Sequence, residues 1–131
     1  MALMLVTFAI SLVIPPFQSP DEFNHMKRAY LLSKGDISKG DVFIDSYTPV
    51  SGGNIDTGLL EFMYIFEKLP FATEAKMSRA DMMNGSKILW SGERKSSGLA
   101  NTLFYFPLPY LPQALAMLMG EVTGLSVSHS Y

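Results

Sequence analysis

The positions of the charged residues constrain this chain more than any other feature of its sequence. Residues 1–20 and 96–120 contain no Asp, Glu, Lys or Arg, and every charged residue except Glu121 lies between Asp21 and Lys95. The chain is therefore apolar at its start, polar in the middle and apolar again near its end. Because charged side chains are rare inside a bilayer, this pattern favours two membrane segments joined by a polar loop.

The composition narrows the class of protein further. The 131 residues allow one ordinary domain, and 48% of them are hydrophobic against 17% charged. The net charge of -2 argues against a nucleic-acid partner, which requires a basic face. The absence of cysteine excludes a disulfide scaffold, a thiolate metal site and a cysteine nucleophile.

The first apolar segment, residues 1–16, is interpreted as a transmembrane helix that is truncated at its start. Its apolar run ends at Pro15-Pro16 and is shorter than the roughly 20 residues that cross a hydrocarbon core. A cleaved signal peptide is a second interpretation, but no basic n-region or small-x-small cleavage site is visible. A buried core helix is the third.

The second apolar segment, residues 99–131, is interrupted by Pro107, Pro109 and Pro112. Proline is disfavoured inside a helix and favoured in its first turn. We therefore expect an extended aromatic approach and then a helix over residues 109–123, about 22 Å long at roughly 1.5 Å per residue. A spanning helix is longer, so we expect this one to continue past Tyr131 as the start of a second transmembrane helix. Gly120 and Gly124 have a spacing typical of helix contacts.

The middle segment, residues 17–98, has the composition of a mixed α/β loop. Ser19, Pro20 and Glu22 fit a capping box that starts a helix running to Ser33. The remaining predictions are a strand over residues 41–48, a turn over residues 49–53, helices over residues 59–69 and 73–84, and a short strand over residues 87–90. The sequence thus predicts a mainly α membrane protein fragment with juxtamembrane helices in its loop.

Asp21, Glu22 and His25 form the one cluster suited to acid–base or metal chemistry. Asp21, His25 and Arg28 have the i, i+4 and i+7 spacing of one helix face. Two carboxylates and an imidazole within one turn provide a general base, or a divalent metal site on Asp21 and Glu22. The structural interpretation is that all three only cap and orient a helix.

Four further residues are candidates for substrate binding. Lys27 and Arg28 carry charges that can receive a phosphate, although a charged pair on a helix is usually solvated. Tyr105 and Tyr110 lie in the aromatic-proline stretch, where interfacial anchoring explains them without a ligand.

The motifs at both ends of the middle segment resemble those of a family of bacterial polytopic membrane proteins, Domain of Unknown Function 2142. They are Pro-Asp-Glu at residues 20–22 followed by His25, an Arg-Ala helix ending at Gly35, a double glycine at residues 52–53, and the tyrosine-proline stretch at residues 105–114. Residues 59–95 contribute little to the resemblance.

The resemblance implies a polytopic protein of the bacterial inner membrane, with residues 17–98 extracytoplasmic. The family is similar in layout to GT-C glycosyltransferases, which implies transfer of a sugar from a polyprenyl-phosphate donor to a cell-envelope glycan or protein. Asp21 would then be the base or a metal ligand, Glu22 would support it, and His25 would orient it or contact the donor phosphate. Two alternatives remain: a non-catalytic component of polysaccharide export or assembly, and a small free-standing protein that binds a partner.

Overall fold

A computed structural model describes residues 5–6, 16–36, 40–45, 48–72, 74–99 and 102–130. They form five helices, three strands and two 3-10 turns. In chain order these are α1 (Glu22–Ser33), β1 (Gly40–Asp45), β2 (Thr48–Asp56), α2 (Thr57–Ile65), α3 (Arg79–Gly85), β3 (Arg94–Gly98), the 3-10 turns Thr102–Phe104 and Leu108–Tyr110, α4 (Leu111–Thr123) and α5 (Val127–Ser130).

The three strands form one antiparallel sheet in the order β1-β2-β3. Gly52, at the centre of β2, is opposite Gly40 on one side and Gly98 on the other. The predicted turn over residues 49–53 is therefore wrong, because these residues pair within the central strand. A Cβ on Gly53 would lie 2.6 Å from the methyl groups of Leu31, so glycine here lets α1 pack directly on the sheet.

The core lies between the sheet, α1, α2 and α4. Its fully buried members come from all of these elements: Met26, Ala29 and Tyr30 of α1, Ile55 of β2, Leu59 and Phe62 of α2, and Met117 of α4. Phe17 precedes α1, stacks on Phe23 at 4.4 Å and contacts Phe62 at 5.7 Å between ring centroids. Its backbone has a φ of 62°, a conformation that bulky residues rarely adopt and that its burial here stabilises.

Asp56 connects β2, α2 and the loop before β3. It is fully buried, and its side chain caps α2 by accepting hydrogen bonds from the backbone N–H of Gly58 at 2.8 Å and of Leu59 at 3.4 Å. The same carboxylate accepts from the N–H groups of Ser91 and Gly92. A buried carboxylate is stable when it accepts several such bonds, so Asp56 fixes the loop that leads into β3.

The prediction of a mainly α membrane fragment is wrong, because a three-stranded sheet and five short helices share one core. The helix predicted over residues 109–123 is present as α4, but it ends at Gly124, whose φ is 72°. The chain then turns back into α5, so α4 does not run on toward Tyr131 as one continuous helix. No helix within the described ranges combines the length and apolar character that crossing a bilayer requires. Most of the predicted first membrane helix, residues 1–16, lies outside the described residues.

Gly120 allows the chain to fold back from α4 into α5. A Cβ at Gly120 would lie 1.8 Å from Oγ of Ser130, so its absence lets α5 pack against α4. The Gly120–Gly124 spacing therefore reflects one close contact and one left-handed helix end.

The local predictions for the middle segment were partly right. The helix ending at Ser33 is confirmed, although Asp21 occupies the N-cap position without a side-chain cap bond. The strand over residues 41–48 corresponds to β1, and the helix over residues 59–69 corresponds to α2, which ends earlier. The helix over residues 73–84 begins only at Arg79, where Ser78 and Asp81 form the capping box. The strand over residues 87–90 is reduced to an isolated bridge at Leu89.

Candidate functional site

His25 lies on α1 beside the rings of Tyr105 and Tyr110. Its Nδ1 is 2.6 Å from the hydroxyl oxygen of Tyr110. Its ring centroid is 5.7 Å from each tyrosine centroid, and the interplanar angles are 22° and 23°. These contacts join α1 to the 3-10 turn Leu108–Tyr110, 85 residues later in the chain. We refer to His25, Arg28, Tyr105 and Tyr110 as the His25 cluster.

Prolines in the 3-10 turn explain how Tyr110 reaches α1. The turn begins after Pro107 and contains Pro109, and the fixed φ of proline suits the first turn of a helical segment. The turn places Tyr110 against α1, where it is nearly buried, whereas Tyr105 is half exposed. One face of the cluster is therefore fixed by packing and the other is open to a ligand.

The ionisation of Tyr110 is set by its surroundings. Burial, together with Tyr105, raises the pKa of the Tyr110 phenol above its usual value, and the charge of Arg28 acts in the opposite direction. The phenol therefore keeps its proton near neutral pH. A neutral hydroxyl can donate to a neutral imidazole or accept from an imidazolium, so Tyr110 can hold His25 in either state.

The second ring nitrogen of His25 is available for a ligand. Nε2 makes no hydrogen bond to any residue in the described part of the chain. With Nδ1 engaged by Tyr110, Nε2 is the position at which an N–H can be presented to an anion. The geometry suits an oxygen of a phosphate more than a metal ion, because no carboxylate shares the nitrogen.

Arg28 follows His25 on the same side of α1 but is only 2% exposed. Its charge acts on the pKa of Tyr110. In this position Arg28 affects a ligand through the field at the His25 cluster rather than through direct contact. Arg28 therefore belongs to the cluster through its effect on Tyr110.

Asp21 and Glu22 lie one turn before His25 and differ in their surroundings. Asp21 is exposed, and its backbone carbonyl accepts from the N–H groups of Asn24 and His25. The Glu22 carboxylate accepts the backbone N–H of Gln18 at 3.1 Å. The predicted capping box with Ser19 is therefore wrong, and Asp21 is the carboxylate that is open to solvent.

Asp21 and Glu22 have no third candidate metal ligand beside them among the described residues. Among the described residues, no group of three or more His, Cys, Asp or Glu side chains is close enough to hold a metal ion. Glu22 is also committed to the chain before the helix. The tentative metal ligands Asp21 and Glu22 thus supply too few donors by themselves, since divalent cations such as Ca²⁺ and Mg²⁺ prefer six or more oxygens.

Lys27, predicted to bind a phosphate, faces the sheet instead of the His25 cluster. Its Nζ donates to the backbone carbonyl of Gly98 at 3.2 Å. Burial lowers the pKa of the Lys27 ammonium. Two residues along a helix turn a side chain by about 200°, which explains why Lys27 points away from His25.

Thr102 is a buried residue of this region that the sequence analysis did not single out. It is fully buried, and Oγ1 lies 3.3 Å from the carbonyl of Asn24 and 3.0 Å from that of Leu99. Its own carbonyl accepts the N–H of Tyr105. A lone threonine in an apolar stretch carries no sequence signal, and only the fold shows that it joins α1 to the segment that carries Tyr105.

A charge-free apolar face borders the His25 cluster. We define the apolar face by large exposed side chains that extend from the aromatic stretch along α4: Phe104, Phe106, Leu108, Leu111, Leu115, Leu118, Met119 and Val122. The opposite side of α4, with Ala114 and Met117, is buried in the core. Glu121, the one charged residue of α4, pairs with Lys34 of α1. A helix that is apolar on all sides normally has apolar partners on all sides.

Comparisons of the chain with protein-family models, with curated proteins and with solved structures give no match. The resemblance to Domain of Unknown Function 2142 therefore stays a prediction.

Proposed function

We propose that the protein takes part in the transfer of a sugar from a polyprenyl-phosphate donor to a cell-envelope glycan or protein, at the surface of the bacterial inner membrane. The observation that carries the proposal is the contact between two unlike surfaces. The His25 cluster offers Nε2 of His25 as a hydrogen-bond donor to an anion, and it is flanked in the chain by the charge-free apolar face. A polyprenyl phosphate has the matching chemistry, since its head is anionic and its chain is hydrocarbon.

The apolar face supports the lipid part of the proposal. Its large aromatic and aliphatic side chains are exposed, and exposed apolar side chains that lie together mark protein or membrane contacts. Aromatic residues concentrated at one end of such a surface suit the boundary between hydrocarbon and headgroups. In the proposed complex the prenyl chain and neighbouring lipid lie on the apolar face, and the phosphate lies at its aromatic end.

The His25 cluster would bind the donor phosphate and stabilise it as the leaving group. Nε2 of His25 donates to a phosphate oxygen, and Tyr110 holds the imidazole through Nδ1. Tyr105, half exposed beside His25, shields one side of the phosphate from water. Charge on the departing phosphate increases during the reaction, so the N–H of His25 contributes more as the bond breaks.

Asp21 would act as the general base. It precedes His25 by one helical turn, about 6 Å along the axis of α1, and its carboxylate is exposed. An acceptor hydroxyl gives its proton to Asp21 while its oxygen attacks the anomeric carbon of the donor sugar. The bond between that carbon and the phosphate oxygen breaks, and the polyprenyl phosphate leaves with the bonding electron pair.

The non-catalytic alternative is favoured by the contacts that already occupy two of these residues. Glu22 holds Gln18, and His25 holds Tyr110, so both link α1 to other parts of the chain. In a component of polysaccharide export or assembly, these contacts would orient α1 and Asp21 would carry no chemistry. The two functions differ in what the Asp21 carboxylate does.

The experiment is a transfer assay in membranes that contain the protein. Each of a panel of polyprenyl-phosphate sugars, labelled in the sugar, is supplied, and the label that moves from the lipid to the polymer fraction is counted. We expect Asp21→Asn to lower transfer by about 100-fold or more, which is the usual contribution of a general base. Glu61→Gln is the matched control, since Glu61 is an exposed carboxylate on α2.

One result separates the catalytic function from the non-catalytic one. If Asp21→Asn transfers label at the rate of the wild type, the catalytic assignment is wrong and the non-catalytic component is favoured. Glu22→Gln is expected to keep most of the transfer activity and to lose roughly 1 kcal/mol of helix stability.

A further inference from the structure

We propose that Thr102 is a positioning residue that holds Tyr105 beside His25, and thereby fixes the ring that would lie next to a phosphate bound at Nε2. The inference deepens the proposed function and rests on it for the identity of the ligand. Thr102 is fully buried, so it contacts no ligand itself. It acts through the two elements that it joins.

The first of these elements is the sheet. Leu99 follows β3 directly, is fully buried, and donates its N–H to the carbonyl of Ser51 in β2 at 2.9 Å. Thr102 bonds back to Leu99 through both its backbone N–H and Oγ1, at 3.1 Å and 3.0 Å. The 3-10 turn that begins at Thr102 is thus anchored to the central strand.

The second element is α1, which Thr102 contacts at the residue before His25. Oγ1 lies 3.3 Å from the carbonyl oxygen of Asn24. The carbonyl of Thr102 accepts the N–H of Tyr105 at 3.2 Å. A single residue therefore connects the two backbones, because its hydroxyl reaches the residue before His25 and its own carbonyl holds the N–H of Tyr105.

Lys27 makes a parallel connection on the other side of His25. Its ammonium donates to Gly98, one residue before Leu99. The segment that leads from β3 to the aromatic stretch is consequently bonded to α1 both before and after His25. By contrast, Tyr110 reaches His25 through a separate 3-10 turn, so the two tyrosines are positioned independently.

This independence gives a test with an internal reference. Thr102→Val keeps the shape of the side chain and removes the hydroxyl, whereas Thr102→Ser keeps the hydroxyl. In NMR spectra of the full chain, we expect Thr102→Val to lose the nuclear Overhauser effects between the rings of His25 and Tyr105. The nuclear Overhauser effects between His25 and Tyr110 should persist in both variants. Thr102→Ser should also keep those between His25 and Tyr105.

Binding of citronellyl phosphate, a short prenyl phosphate, is measured on the same samples. We expect Thr102→Val to bind it about fivefold more weakly than the wild type, the order of effect of one hydrogen bond, and Thr102→Ser to bind it as the wild type does. If Thr102→Val does not fold, Thr102→Ala tests the same contacts, because it also removes the hydroxyl and adds no bulk.

The outcomes separate the two proposals. The positioning role would be overturned if Thr102→Val kept the nuclear Overhauser effects between His25 and Tyr105 and bound the ligand with wild-type affinity. A wild-type protein that does not bind citronellyl phosphate would overturn the proposed ligand, while the ring contacts would still decide the role of Thr102.

Discussion

Replacing Tyr110 with phenylalanine tests how the His25 cluster contributes to the fold. The substitution removes one hydroxyl and keeps the ring, so the packing of Tyr110 against α1 is preserved. The bond that is lost joins Nδ1 of His25 to the phenol oxygen at 2.6 Å. It is also a bond between α1 and a turn 85 residues away, so its loss weakens a tertiary contact rather than a local one.

The expected magnitude follows from the burial of the pair. A hydrogen bond between neutral partners contributes about 1 kcal/mol, and an unsatisfied buried partner adds to the loss. His25 is partly exposed, so water can replace the phenol at Nδ1 and the cost stays near about 1 kcal/mol. For a chain of this length, that corresponds to a fall in melting temperature of about 4 °C.

The assay is urea unfolding followed by circular dichroism, with the free energy of unfolding compared between variants. Tyr64→Phe is the matched control, because Tyr64 is 76% exposed on α2 and its loss of a hydroxyl should cost nothing measurable. If Tyr110→Phe and Tyr64→Phe unfold at the same urea concentration, the His25–Tyr110 bond does not stabilise the fold, and our account of the cluster is refuted.

Two further predictions concern the core. Burial raises the pKa of Tyr30 to about 12; because the unfolded phenol ionises near 10, stability should be complete below pH 10 and fall by about 1.4 kcal/mol per pH unit between pH 10 and 12. Tyr30→Phe should reduce that slope in urea titrations at several pH values, and an unchanged slope would contradict the assignment. Gly120→Ala should cost about 1–3 kcal/mol, since its Cβ would meet Ser130. The double variant with Ser130→Gly should recover most of the loss in the same unfolding assay, and failure to recover would place the strain elsewhere.

The sequence predicted the helices in which apolar residues recur at helical spacing because one side of the helix is buried. α1 and α4 carry apolar residues at helical spacing, and each ends near a glycine with positive φ, Gly35 and Gly124. The rule that assigns turns to double glycines failed at Gly52-Gly53, because there the absence of a Cβ serves the packing of α1 on the sheet. Local patterns cannot distinguish a glycine needed for a turn from one needed for a close approach.

Charge patterning misled the interpretation of fold class. The absence of charge over residues 96–120 predicted a membrane segment, but one side of α4 packs in the core and the chain reverses at Gly124. β3 was missed because its sequence, RKSSG, has no apolar alternation. Its position as the neighbour of β2 comes from long-range pairing and from Asp56, which no local pattern reveals.

The sequence predicted most residues of the candidate site but not how they contact one another. The sequence named His25, Arg28, Tyr105 and Tyr110, and the fold brings these four together. The sequence pattern grouped Lys27 with these residues only because Lys27 is adjacent to Arg28. Thr102 was missed, since a buried hydroxyl acquires its role from two backbone carbonyls that are distant in the chain.

The most direct test of the central claim is an NMR titration of His25 with three ligands: citronellyl phosphate, citronellol and inorganic phosphate. The chemical shift of the His25 Nε2 nitrogen reports on the site, and the shifts of Leu115 and Val122 methyl groups report on the apolar face. We expect citronellyl phosphate to move both sets of signals at one affinity, and neither citronellol nor phosphate alone to bind as tightly. Saturation by citronellyl phosphate without any change at His25 Nε2 would contradict the account.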